Sequence, residues 1–114
     1  MNQKAKSWQK LTPSQRLWVE VFGIYGLPKL DEKKVLAIVD GLPLREAAVV
    51  KLRFGFKEKS LTLKEIGKRL NRADRLKLVG VSREIARLEL KKALHRLRQT
   101  KWRKVWEEAK IPDG

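Results

Sequence analysis

The side chains best placed to do chemistry lie in the run SREIARLELKKALHRLR, residues 82–98: Ser82, Arg83, Glu84, Arg87, Lys91 and Arg98. Guanidinium and ammonium groups at helical spacing neutralise phosphate, and arginine can also fork onto a guanine edge. Ser82 suits a helix N-cap, where its hydroxyl accepts a hydrogen bond from a first-turn N–H. The remaining N–H groups at such an end favour an anion. Upstream, Thr62 and Glu65 have the spacing of a capping box, with Lys64 and Lys68 on the helix it would open. A capped helix, a connection and a second capped basic helix is the outline of a helix-turn-helix.

Charge supports a polyanionic partner. The 114 residues carry a formal +15, a field that favours nucleic acid or an acidic surface. Residues 61–104 hold 15 basic and 4 acidic side chains, so +11 of that charge lies around the two capped helices. Without cysteine there is neither a disulfide framework nor a thiolate metal site, and a reducing, cytoplasmic setting is the simplest expectation. His95, the only histidine, has no partner for a metal and is expected to be exposed. No apolar run reaches the length of a membrane span, and MNQKAKSWQK lacks a signal-peptide core. No paired carboxylates, phosphate-binding glycine loop or zinc-protease motif occurs, so neither an enzyme nor a cofactor or small-molecule substrate is expected.

The elements that must position these residues are short helices. Thr12-Pro13-Ser14 opens the first, with Trp18, Val19 and Phe22 at helical spacing. GIYGLPKL breaks it, and Asp31 caps EKKVLAIVD, which Gly41 is expected to end in the left-handed conformation. Pro43 precedes LREAAVVKLRF, whose Ala47, Ala48, Val50, Leu52 and Phe54 suit burial and which Gly55 stops. KEKS is a loop; the Thr62 helix, a basic stretch NRADRLKLVG and the Ser82 helix follow. Trp102 and Trp106 could stack on bases, but are expected to pack on the first helix through Trp18, Phe22 or Tyr25. The expected fold is all-α, a small domain of five to six helices containing a helix-turn-helix. Its divisions are an N-terminal helical extension (1–30), the helix-turn-helix body (31–99) and a C-terminal helical tail (100–114).

LPLREAAVVKLRFGF (42–56), LTLKEIGKRL (61–70), VSRE and KKALHRLR (81–98) together resemble region four of bacterial sigma factors. The resemblance covers about half the chain. It implies a domain that reads the upstream promoter element in double-stranded DNA and docks on the flap of the RNA polymerase β subunit. Arg83, Glu84 and Arg87 then fall at base-reading positions, with Thr62 and Lys64 at the backbone-contacting start of the preceding helix. Lys68, Ser82 and Lys91 complete the expected DNA contacts. Ala48, Val49, Leu52, Phe54, Leu94 and Leu97 fall in the groove that would grip the flap.

Two features depart from that pattern. Ten residues, Asn71–Gly80, stand where the family has one, and they include Leu76, Leu78 and Val79. In the last helix, Ala86, Leu90, Ala93, Leu94 and Leu97 form one core face at ~100° per residue, but Ile85 and Leu88 fall outside it. Either the helix slips locally by one residue, or it is straight and the inserted apolar residues cover Ile85 and Leu88. A chain of this length is expected to lack the promoter-melting sigma domain, and thus to recruit or modulate polymerase. The alternatives are a flap-binding competitor of sigma that has lost promoter reading, and a phage packaging or recombination protein.

Overall fold

The computed structural model describes residues 11–73 and 83–112, and among these the chain is all-α. Local chemistry accounts for the helix boundaries. Helix α1 (Pro13–Phe22) begins at Thr12, whose hydroxyl accepts from Gln15 N–H at 3.1 Å while the Gln15 amide accepts from Thr12 N–H at 3.1 Å. Helix α2 (Glu32–Asp40) begins at Asp31, whose carboxylate accepts from the N–H groups of Lys33 and Lys34. Helix α3 (Leu44–Phe54) ends at Gly55, with φ +74°. A β-carbon there would stand 2.9 Å from the Glu58 carbonyl, so glycine answers both the left-handed backbone and the tight return.

Helix α4 (Leu63–Ala73) starts with the expected capping box: Thr62 N–H donates to Glu65 at 2.9 Å and Glu65 N–H to Thr62 Oγ1 at 3.2 Å. Asn71, Arg72 and Ala73, read from sequence as the start of an insertion, continue this helix. Helix α5 (Arg83–Arg98) is an unbroken α-helix of 16 residues. A 3-10 turn (Thr100–Trp102) leads into α6 (Arg103–Ala109). The expected cap Ser82, and Leu76, Leu78 and Val79, lie outside the described residues.

One apolar core gathers Leu17, Trp18 and Val21 of α1, Val35, Ile38 and Val39 of α2, Ala47, Val50 and Phe54 of α3, Ala93 and Leu97 of α5, and Trp106 and Ala109 of α6. Trp106 is the hub. Its ring meets Trp18 and Phe22 edge-on, each at 5.5 Å between centroids, and its indole N–H donates to the Leu97 carbonyl at 3.1 Å. This places it on the first helix as expected, whereas Tyr25 is 94% exposed. After α6 the chain returns beside residues 29–31 as an isolated antiparallel bridge, Leu30 to Lys110, with Asp31 N–H donating to Ala109 and Ile111 N–H to Lys29.

Two local expectations are corrected. Gly41 is right-handed (φ −79°), its N–H donating to the Ile38 and Val39 carbonyls. A β-carbon there would lie 3.2 Å from the Ile38 carbonyl and 3.3 Å from the Trp102 ring, a tight fit for any larger residue. On α3 the buried set includes Val49 and Glu46, while Ala48 and Leu52 are half-buried.

Candidate nucleic-acid interface

A second, smaller apolar cluster joins the three helices that matter here. Val49 of α3, Ile66 of α4 and Ala86 of α5 are each fully buried, with Leu52, Leu61, Leu63 and Leu90 packed around them. Ala86, with a single methyl, lets the start of α5 lie close against Ile66. Around this contact the sequence places charge outward. Thr62 at the start of α4 and Lys64 and Lys68 within it are exposed, as are Arg83, Glu84, Arg87 and Lys91 of α5. Two sets of cations thus ride on two helices packed against each other.

Within the α5 set one contact is made. The Arg87 guanidinium forks onto the Glu84 carboxylate, Nη2 to Oε1 at 2.5 Å and Nε to Oε2 at 3.3 Å. The hydrogen bond and charge of Arg87 hold the Glu84 carboxyl below its ordinary pKa, and Glu84 in turn raises that of Arg87. Glu84 therefore stays ionised at neutral pH, and a base or phosphate taking Arg87 must displace it. On α4 the Glu65 carboxyl is likewise held down, first by the Thr62 backbone N–H it accepts.

The far half of α5 is held on several sides. Arg96 Nε donates to both oxygens of the buried Glu46, at 2.8 and 3.1 Å. Arg98 Nε donates to the Val21 carbonyl at 2.8 Å, with Nη2 reaching Glu20 at 3.4 Å, so a cation caps the C-terminus of α1. Arg98 is thus a structural link between α5 and α1, a role its type did not suggest. The Glu46–Arg96 pair escaped sequence reading because the two residues lie fifty positions apart.

The residues expected to grip a flap divide. Val49, Phe54 and Leu97 are buried in the two clusters and support the surface rather than form it. Ala48, Leu52 and Leu94 are half-buried. Leu44, which the sequence reading passed over, is 90% exposed one turn before Ala48; its i, i+4 spacing from that residue was the available signal.

Ile85 is half-buried and Leu88 is 43% exposed. The helix does not slip, and Leu88 stands in solvent. The proposed cover by Leu76 or Leu78 lies outside the described residues. His95 is exposed. No group of three or more metal-ligating side chains, and no helix long and apolar enough to cross a membrane, occurs among the described residues.

Two helices packed through one alanine, with arginine and lysine outward, suit the helix-turn-helix class of body that the sequence suggests. Comparison with family models matches residues 38–73, about a third of the chain, to sigma-70, region 4. The match runs from the end of α2 through α3 and α4, bearing out the resemblance over those elements, and α5 lies beyond it. Sigma-70 region 4 is a DNA-binding regulatory domain, not an enzymatic family. No curated protein and no solved structure gives a significant match.

Proposed function

We propose that this protein is a sigma-like transcription regulator that binds promoter-type duplex DNA through α4 and α5 and contacts RNA polymerase. The observation that carries the reading is the division of α5. Its first two turns turn Arg83, Glu84, Arg87 and Lys91 to solvent while its last two are locked into the core. In this reading α5 enters the major groove by its N-terminal half, and Lys64 and Lys68 of α4 hold the phosphate backbone. The polymerase contact falls on Leu44, Ala48 and Leu52, which share one face of α3 at i, i+4 spacing, an apolar strip suited to the β-flap, with Leu94 of α5 as a further candidate. Residues 31–99 form the sigma-like body, the segments before and after it brace the body, and the setting is cytoplasmic.

Titration of a labelled duplex at several salt concentrations tests the DNA arm. Affinity should fall with salt at a log–log slope of about −0.9 per phosphate neutralised. Absence of binding at low ionic strength would overturn it. For the polymerase arm, the protein should co-elute with RNA polymerase and cease to do so when the flap tip is deleted. Unchanged co-elution without the tip would place the contact elsewhere.

A further inference from the structure

We propose that Leu88 reads the 5-methyl group of a thymine, making it a specificity-determining residue of this interface; the inference rests on the base-reading role proposed above for α5. At ~100° per residue, Leu88 stands roughly opposite the buried line of Ala86, Ala93 and Leu97, on the face of the helix turned away from the core. It lies in the second turn, within the half that a helix-turn-helix presents to base edges. Its neighbours on that face are charged: Glu84 one turn before, Arg87 adjacent, and Lys91 and Lys92 one turn after, all exposed. The Arg87–Glu84 fork keeps both of those side chains occupied with each other, and Leu88 remains 43% exposed beside them.

A partner that covers this large aliphatic side chain and the cations around it must be anionic around an apolar spot. An apolar protein surface would strip water from the flanking Arg87, Lys91 and Lys92 without repaying it. The major groove meets both requirements. Phosphates line its rims, and along its floor the thymine methyl is the one apolar group among the four bases. Leucine offers no hydrogen bond, so an adenine, guanine or cytosine edge opposite it would lose water for no new partner. The same side chain therefore rewards thymine and disfavours the other three bases.

The test uses the full-length protein. A preferred duplex is selected from a randomised pool, and each thymine in it is replaced in turn by uracil, which lacks only the methyl group. One replacement should weaken binding about fourfold, the size of one buried methyl group. In L88A and L88Q that same replacement should have no effect; both are surface changes, and circular dichroism would verify that α5 persists. If no uracil replacement matters, the methyl reading is overturned while base reading stands. If the loss persists in L88A, another residue reads the methyl and the inference fails. If no sequence is enriched from the pool, the base-reading role itself falls, and the inference with it.

Discussion

The two halves of α5 have the same helical backbone and opposite surroundings. From Ala93 to Arg98 the helix is held by the buried Ala93 and Leu97, the Glu46–Arg96 pair, the carbonyls of α1 and the Trp106 indole. From Arg83 to Lys91 it is held by Ala86 and Leu90 against Val49 and Ile66, with Ile85 and Glu89 half-buried and Arg83, Glu84, Arg87, Leu88 and Lys91 outward. The contrast separates two tasks usually entangled in a small domain. One half fixes the helix in space, and the other is left to chemistry. Stability and recognition should therefore respond to different substitutions.

The largest effect should come from the fixed half. W106A removes a buried ring, its contacts with Trp18 and Phe22 and the bond to Leu97, and should cost about 3–5 kcal/mol in denaturant unfolding. Duplex affinity measured where the variant is still folded should change little. Next is E46Q, which leaves Arg96 without its anion. Glu46 is buried but Arg96 is nearly half exposed, so a loss of about 1–3 kcal/mol is expected, again with DNA binding intact.

The open half should reverse that pattern. R83A and R87A should each reduce the preference for a selected site over random duplex by roughly ten- to hundredfold, with the unfolding midpoint unmoved. K64A and K68A should weaken all sequences alike and each reduce the salt slope by about 1. Equal losses on specific and random duplexes for all four would mean that α5 reads no bases.

The smallest effect concerns acid. The carboxyls of Asp40, Glu65 and Glu84 are held below their ordinary values by Lys51, by Thr62 and by Arg87 respectively. A carboxyl with a lowered pKa in the folded chain contributes stability that is present above its unfolded value and lost as pH falls through the folded one. All three are at the surface, so stability should stay level from neutral pH to the ordinary carboxylate range and decline modestly below it. In E65Q that decline should be shallower.

What could be read beforehand was local. Thr12, Asp31 and Thr62 mark helix starts because a cap acts within three residues, and Gly55 marks an end because a left-handed turn does too. The sigma-like character of α3 and α4 was equally visible, since it resides in a contiguous pattern. What escaped depends on residues distant in the chain. Gly41 reads as a left-handed stop, yet it is right-handed and lies close against the Trp102 ring. Glu46 reads as a surface acid, yet Arg96 allows it to be buried. Arg98 reads as one more phosphate-binding cation, yet it closes the end of α1. The base-reading candidates Arg83, Glu84 and Arg87 came from the resemblance to sigma region four, and the fold adds that they stand exposed on a helix held from behind.

The bridge between Leu30 and Lys110 bears on how the molecule is made. Helices α3, α4 and α5 follow one another, so their pairings can form as soon as each leaves the ribosome. The aromatic edge of α1 is different: Trp18 and Phe22 wait for Trp106, and the 29–31 segment waits for 109–111. Closure of the fold thus waits until Trp106 and residues 109–111 have been made, and until then a tryptophan and a phenylalanine stay open to other nascent chains. A product halted before Trp106 would be drawn to chaperones and proteases rather than to DNA.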